Sequence, residues 1–199
     1  MTESARIEPA PIDPELARRI RVVILDADGV LTDGGIYVAD GEREPFGMRR
    51  FHVRDGVGIL MLRRAGLTVA IVSGKRSQAV RARAVALGIE EVHQVDPYDK
   101  LPTVETVLAG AGAGWDETAF MGDDIADLAV LHEVALPAAV PGAATEVLAA
   151  AAWTSRTPGG SGAVREFAEA LLQARGEWTP GVEAYVEECR ARWRAARDG

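Results

Sequence analysis

The sequence predicts an α/β fold in which a central parallel sheet is flanked by helices on both faces. Two observations support this prediction. Short apolar runs alternate with helical segments along most of the chain, and the composition, 48% hydrophobic and 26% charged, is that of an ordinary globular protein. The length of 199 residues suits one α/β domain with a sizeable core. A third observation concerns function, because chemically active side chains recur where the apolar runs end.

The first half of the chain supplies a strand, a hairpin and then alternating helices and strands. Residues 21–26 (RVVILD) form a β-branched run that is typical of a buried strand. Residues 36–51 contain a DG turn between two runs, which predicts a β-hairpin. The pattern then predicts a helix over 55–65 ending at Gly66, a strand over 67–72, a helix over 77–87 ending at Gly88, and a strand over 92–95.

The second half continues the alternation and ends in a helical tail. It predicts helices over 100–111, 124–132, 142–152 and 161–174, strands over 118–121 and 134–140, and an arginine-rich amphipathic helix over 181–197. The 124–132 helix opens with acidic residues, which suits the positive end of a helix dipole. The predicted organisation is therefore a flexible N-terminal arm (1–14), an α/β domain (15–176, with the hairpin insertion at about 35–52) and a C-terminal helical tail (177–199).

Charge and composition narrow the classes of function. The net charge of −8 disfavours a nucleic-acid partner and favours a cation, or a substrate met by local positive charge. The single cysteine, Cys189, excludes an internal disulfide and fits a reducing compartment. The N-terminus lacks the apolar core of a signal peptide, and no apolar stretch reaches membrane-spanning length. We therefore expect a cytoplasmic protein with no membrane partner.

Reactive side chains follow four of the predicted strands. Ligands bind beyond the carboxyl ends of the strands in an open α/β sheet, so these groups should gather at one edge. In strand order they are Asp26 and Asp28, then Ser73, Gly74 and Lys75, then Lys100, and finally Asp123, Asp124 and Asp127. Carboxylates this close disfavour each other's ionisation, and a bound cation is the simplest way to offset that repulsion.

The carboxylates suit phosphoryl transfer through an aspartyl-phosphate. Asp26, at the end of the strand, would attack phosphorus. Asp28, two residues on, would protonate the leaving group and then deprotonate the water that hydrolyses the intermediate. Asp123 would hold a hard cation such as Mg²⁺, which prefers oxygen ligands.

The remaining groups suit the binding of a phosphoryl group. Ser73 and the nearby backbone N–H groups at Gly74 would bind phosphoryl oxygens, and Lys100 would offset the charge that develops there. Asp124 and Asp127 would support the metal site from outside its direct ligands, or would orient Lys100.

Each motif taken singly also has a structural interpretation. A DxD sequence at a strand end is often a turn or a helix cap, SGK is a common strand-to-helix loop, and a lone lysine is most often solvated. The conjunction of all of them, in this order and each after a strand, favours catalysis over a set of coincidences.

These residues carry a family resemblance. DADGVLTDG, SGK, Lys100 and GDDIAD resemble, in order, the four motifs of the haloacid dehalogenase (HAD) superfamily of phosphatases. Longer stretches between about residues 22 and 171 resemble the 3-deoxy-D-manno-octulosonate 8-phosphate (KDO 8-phosphate) phosphatase family: LDADGVLTDGGIYV, FHVRDGVGI, VRARAVALGI, GDDIADLAVL and GGSGAVREF.

The resemblance implies a Rossmann-like HAD fold without a large cap domain. It also implies Mg²⁺ as cofactor, with Asp26, the backbone carbonyl of Asp28 and Asp123 as ligands. Such enzymes are homotetramers in which the hairpin helps to form the central assembly and one subunit closes over the next subunit's site.

The resemblance further implies where a phosphorylated sugar acid would bind. The implied contacts are His52, Val53, Arg54, Asp55 and Gly56 of FHVRDG, together with Lys75 and Arg83. The structural alternative is an N-cap for Asp55 and an exposed helix charge for Arg83.

Three positions depart from the family pattern. Lys75 and Ser161 stand where members often have arginine, and Leu60 stands where many have a polar or basic residue. A sugar-acid carboxylate favours cations, and lysine lacks the planar fork of arginine. The resemblance makes KDO 8-phosphate the first substrate expected, and these three departures leave a nine-carbon sialic-acid-type 9-phosphate or another sugar phosphate as alternatives.

Two other classes of function also combine such residues. A receiver-like signalling module places its acidic pair early in the chain, whereas the pair comes last here, and Asp28 would shorten the life of a phosphoenzyme. A catalytically idle HAD-like oligomerising module would be free to lose motif residues, and every superfamily position is present. The sequence therefore predicts an active phosphoric monoester hydrolase.

Overall fold

A six-stranded parallel sheet lies at the centre of the computed structural model, which describes residues 11–39 and 46–198. The strands are β1 (Val22–Leu25), β2 (Tyr37–Ala39), β3 (Phe46–Met48), β4 (Thr68–Ser73), β5 (Glu91–Gln94), β6 (Thr118–Gly122), β7 (Leu136–Ala139) and β8 (Trp153–Thr154). β2 and β3 pair as an antiparallel hairpin, and the other six follow the order β5-β4-β1-β6-β7-β8.

Helices cover both faces of this sheet. They are α1 (Pro14–Arg19), α2 (Val53–Arg64), α3 (Gln78–Leu87), α4 (Lys100–Ala111), α5 (Leu128–Leu131), α6 (Thr145–Ala150), α7 (Ala163–Arg175) and α8 (Trp178–Asp198). Side chains of α1, α2, α3 and α7 bury one face of the sheet, and those of α4, α5 and α6 bury the other. β1 is apolar and buried along its whole length because it runs between both layers.

The three central strands end within two residues of one another, which decides where the reactive side chains lie. Leu25 at the end of β1 is in register with Ile71 of β4 on one side and with Met121 of β6 on the other. The residues that follow these three strands therefore meet at one edge of the sheet. The predicted α/β fold with its parallel sheet is confirmed, and so is the hairpin pairing.

Element boundaries differ from the sequence prediction by a few residues. Ser73 is the last residue of β4 rather than the first of a loop, and Ser77 caps α3 through a hydrogen bond from the N–H of Val80. The predicted 124–132 helix begins as a 3₁₀ turn, Ile125–Asp127, before α5. α8 begins three residues earlier than predicted.

Two short elements were not predicted from the sequence. α1 has six residues and is capped by Asp13, which accepts hydrogen bonds from the N–H groups of Glu15 and Leu16. β8 has two residues at the edge of the sheet. Residues 1–10 of the predicted arm and the DG turn at 40–41 lie outside the described residues. Among the helices that the structure describes, none is long and apolar enough to span a bilayer.

A glycine loop before α7 packs directly on the turn that follows β1. The N–H of Gly160 donates to the carbonyl of Val30 at 3.1 Å. A side chain at Gly159 would overlap the carbonyl oxygen of Gly29 and crowd that of Thr32. The two backbones approach this closely only because residue 159 has no Cβ atom.

We expect Gly159→Ala to destabilise the protein by about 1–3 kcal/mol, because the new methyl group overpacks this contact. Gly110→Ala is the matched control: Gly110 is an exposed residue of α4, and a Cβ atom added there would meet open space. Alanine at this helical position should therefore stabilise by about 0.5 kcal/mol. Urea unfolding of both variants measures these effects, and equal stability of the two would contradict the close packing.

Candidate active site

The side chain of Lys100 lies between two carboxylates at the carboxyl edge of the sheet. Its Nζ donates to Asp26 Oδ1 at 2.7 Å and to Asp127 Oδ1 at 2.6 Å. The Lys100 side chain is only 5% exposed. Burial acts to lower the pKa of Lys100, but the charges of Asp26 and Asp127 outweigh it and hold that pKa above its ordinary value. The ammonium group is therefore charged and bound to both acids.

Asp127 uses both of its carboxylate oxygens within the protein. Oδ1 accepts from Lys100, and Oδ2 accepts from the N–H groups of Asp123 at 3.0 Å and Asp124 at 3.3 Å. Asp124 in turn caps the 3₁₀ turn by accepting from the N–H of Ile125. Asp127 thus ties Lys100 to the loop that carries Asp123.

Carboxylate oxygens of Asp26, Asp123 and Asp127 all lie within 4.8 Å of one another. Burial, followed by the charge of Asp127, raises the pKa of Asp26 to about 8. Burial, with the charges of Asp127 and Asp124, raises the pKa of Asp123 to about 7. The positive charge of one lysine does not compensate the negative charges of three carboxylates in this buried cluster. The cluster has the oxygen donors and the excess negative charge that a divalent cation requires.

Gly29 allows the turn after β1 to approach Asp123. Its φ of +96° lies in the left-handed region, and a Cβ atom there would overlap the Asp123 carboxylate. The turn Ala27–Leu31 packs against β4 and β6, and it brings the charge of Asp28 close enough to Asp123 to help raise the pKa of Asp123.

Asp28 has a partner that the sequence reasoning missed. Arg49 Nε donates to Asp28 Oδ1 at 2.7 Å, and the Arg49 side chain is only 5% exposed. Arg49 follows the second strand of the hairpin, directly beside the largely exposed Arg50. Nothing in the sequence distinguishes these two adjacent arginines.

Asp33, the third aspartate after β1, lies outside the acid cluster. Its carboxylate accepts from Tyr37 Oη at 2.5 Å and from the N–H of Gly35 at 3.0 Å. The hydrogen bond from Tyr37 is the largest influence on Asp33 and holds its pKa below the ordinary value. Asp33 therefore shapes the start of the hairpin.

Ser73 and Gly74 lie beside Lys100. Ser73 is buried, and its Oγ is 3.4 Å from both the backbone nitrogen and the backbone oxygen of Lys75. A Cβ atom on Gly74 would lie 3.4 Å from Cε of Lys100. The structure thus brings together six predicted residues: Asp26, Ser73, Gly74, Lys100, Asp123 and Asp127. The side chain of Lys75 is exposed.

The FHVRDG segment forms the start of α2. His52 is its N-cap, with Nδ1 accepting from the N–H of Arg54 at 3.3 Å. The His52 carbonyl accepts from Arg83 Nη2 at 3.4 Å, and Arg83 also lies against Gly56. Val53 is 80% exposed, and Arg54 is exposed as well.

Asp55 is turned into the protein, away from solvent. It is 2% exposed, and its Oδ1 accepts from the N–H of Arg165 at 2.9 Å. Burial raises the pKa of Asp55, and the N–H group of Arg165 offsets only part of that effect. The suggested N-cap role of Asp55 is wrong, because His52 caps α2 and Asp55 lies within the first turn of that helix. The Asp55 carboxylate instead joins α2 to the start of α7.

Known proteins resemble this chain along most of its length, although no family model matches it. It is 37% identical over 161 residues to 3-deoxy-D-manno-octulosonate 8-phosphate phosphatase KdsC from Escherichia coli K12, covering 81% of this chain and 84% of the relative. The chain belongs to the KDO 8-phosphate phosphatase family, within the HAD superfamily.

Solved structures agree with this membership. The KDO 8-phosphate phosphatase from Moraxella catarrhalis, in complex with a magnesium ion, a phosphate ion and KDO, superposes with a TM-score of 0.81 at 30% identity, covering 86% of this chain and 97% of that one. The enzyme from Yersinia pestis superposes with a TM-score of 0.78 at 34% identity, covering 85% and 95%.

We expect Mg²⁺ to raise the melting temperature more at about pH 8.5 than at about pH 6, because metal binding must displace protons from the acids. Folded-state pKa values of about 8 for Asp26 and about 7 for Asp123 lie above the unfolded values. In the metal-free protein, the free energy of unfolding therefore falls as the pH rises from the unfolded pKa values through these folded pKa values. Thermal unfolding with and without Mg²⁺ measures the difference.

Asp123→Asn is the control for this experiment, since it removes one carboxylate of the cluster and should reduce the Mg²⁺ effect at both pH values. A stabilisation by Mg²⁺ that is the same at both pH values, or that survives this substitution intact, would contradict metal binding by these acids.

Proposed function

We propose that this protein is a Mg²⁺-dependent phosphatase that hydrolyses KDO 8-phosphate to KDO and phosphate through an aspartyl-phosphate on Asp26. The observation that carries the proposal is the buried Lys100 held between Asp26 and Asp127, at 2.7 and 2.6 Å, beside the Asp123 carboxylate. This arrangement holds a nucleophilic carboxylate in place and leaves its second oxygen without a hydrogen bond among the described residues.

The first chemical step forms the phosphoenzyme. Asp26 Oδ2 attacks phosphorus while the bond between phosphorus and the sugar oxygen breaks, and Asp28 gives its proton to that oxygen. Ser73 and the backbone at Gly74 bind phosphoryl oxygens, and Lys100 stabilises the negative charge. When bound by Asp26, Asp123 and the backbone carbonyl of Asp28, Mg²⁺ would supply positive charge to the phosphoryl group.

The second step reverses the role of Asp28. A water molecule attacks phosphorus, Asp28 takes its proton, and the bond between phosphorus and Asp26 breaks. Phosphate leaves, and both carboxylates return to their starting states. Asp124 and Asp127 act through the loop and through Lys100 rather than on the substrate.

A nine-carbon sialic-acid-type 9-phosphate is the second candidate substrate. Lys75 is exposed, Leu60 is half-buried, and Ser161 lies in the glycine loop before α7. None of the three offers the planar guanidinium group that binds a sugar-acid carboxylate through two hydrogen bonds. Among the described residues, Arg54 and Arg83 are two cations at the start of α2.

We further propose that the protein is a homotetramer of the cytoplasm. Ile36, Tyr37 and Met48 of the hairpin region are 44–58% exposed, and a neighbouring subunit would bury such apolar side chains. The single cysteine is consistent with a reducing compartment.

Phosphate release from a panel of phosphate esters tests the substrate assignment. We expect Mg²⁺-dependent release with the highest kcat/KM for KDO 8-phosphate, compared with a nine-carbon sugar-acid 9-phosphate and with hexose and pentose phosphates. A preference for the nine-carbon ester would retain the mechanism and change the substrate. No release from any of them would favour the idle module.

Asp26→Asn should reduce turnover by at least about 10³-fold while leaving the fold intact, because an amide does not form the phosphoenzyme. Asp33→Asn is the matched control: it makes the same change beyond the same turn, at a carboxylate outside the cluster, and should retain most of the activity. Steady-state kinetics and circular dichroism measure both effects. Substantial turnover by Asp26→Asn would remove Asp26 as the nucleophile.

A further inference from the structure

We propose that Arg49 is a positioning residue that orients the carboxylate of Asp28 toward the leaving-group oxygen. This inference rests on the proposed function, in which Asp28 is the general acid and base. It assigns a positioning role in the active site to a residue of the hairpin.

The contact between the two side chains is short and sheltered. Arg49 Nε lies 2.7 Å from Asp28 Oδ1, and the side chains are 5% and 27% exposed, respectively. Among the residues that the structure describes, Arg49 is the one hydrogen-bond partner of the Asp28 carboxylate. Its Nη1 also donates to the carbonyl of Met48 at 3.2 Å, which fixes the plane of the guanidinium group.

The backbone around this pair is held in place on both sides. Thr32 and Phe51 form an antiparallel bridge that closes the base of the hairpin on the turn carrying Asp28. Thr32 Oγ1 also accepts from the N–H groups of Gly29 at 3.3 Å and Gly34 at 3.2 Å. The position of Arg49 relative to Asp28 is therefore set by the framework.

This contact restricts the orientation of the Asp28 carboxylate. A carboxylate held through Oδ1 keeps Oδ2 free for the leaving-group oxygen and, in the next step, for water. A free aspartate side chain would sample several rotamers, and each unproductive one would lower the rate of proton transfer. The planar fork of arginine restrains the carboxylate better than the point charge of lysine.

The leaving group separates this role from simple phosphate binding. When the phosphorus–oxygen bond of a sugar phosphate breaks, the alkoxide needs the proton of Asp28. The nitrophenolate of p-nitrophenyl phosphate leaves as a stable anion without one. A defect in positioning Asp28 should therefore lower kcat/KM for the sugar phosphate selectively, whereas a defect in phosphate binding should lower both values equally.

The experiment compares Arg49→Ala, Arg49→Lys and Arg50→Ala on the best sugar phosphate and on p-nitrophenyl phosphate. We expect Arg49→Ala to lower kcat/KM for the sugar phosphate roughly tenfold more than for the aryl ester, and Arg49→Lys to restore part of the loss. Arg50 is the matched control, since its side chain is 57% exposed and 3.7 Å from Asp33. Arg50→Ala should change both values by less than about twofold.

A double-mutant comparison tests whether Arg49 acts through Asp28. In an Asp28→Asn background, Arg49→Ala should cause little further selective loss, because the proton donor is already gone. Circular dichroism and melting temperature check that the variants fold. If Arg49→Ala fails to fold, Arg49→Lys takes its place, and it should show a smaller loss of kcat/KM that is again selective for the sugar phosphate.

Three results would overturn the inference alone, and the first two are equal losses on the two esters and full activity of Arg49→Ala on the sugar phosphate. A further additive loss in the Asp28→Asn background would do the same. A wild-type protein that releases no phosphate from either ester would instead overturn the proposed function, and this inference with it.

Discussion

The buried ammonium group of Lys100 is the interaction on which the rest of the site depends. It lies within hydrogen-bonding distance of Asp26 and Asp127, and its side chain is almost fully excluded from solvent. Three carboxylates this close would not remain charged in so dry a place without positive charge beside them. Lys100 neutralises one charge, and the raised pKa values of Asp26 and Asp123 show that the other negative charges stay unfavourable until a divalent cation displaces the protons.

The sheet brings these groups together from distant parts of the chain. Lys100 and Asp26 are 74 residues apart in sequence, and Asp127 follows Lys100 by 27. Because β1 lies between β4 and β6 in register, their carboxyl ends supply one shared edge. The turn after β1 completes it, since Gly29 and Gly159 allow backbone approaches that any side chain would block.

The proposed substrate end of the site is built differently from the proposed phosphate end. His52 and Asp55 of FHVRDG accept hydrogen bonds from backbone N–H groups. His52 caps α2 in this way, and Asp55 links α2 to α7. Arg49, outside the recognised motif, contacts the side chain proposed to protonate the leaving group. We therefore propose a role for the hairpin in the reaction centre as well as in contacts with other subunits.

Local sequence patterns predict much of the fold and several residues of the site. Apolar runs and caps predicted the parallel sheet and helix α4. They also placed Asp26, Ser73, Lys100 and Asp123 at one edge, because each lies at the carboxyl end of a strand or in the segment that follows it. Short elements such as α1 and β8 lacked enough residues for a periodic signal. The adjacent Arg49 and Arg50 are identical in type, yet one is buried against Asp28 and the other is mostly exposed. Their difference, like the inward turn of Asp55, arises from packing between segments far apart in sequence, which no local pattern encodes.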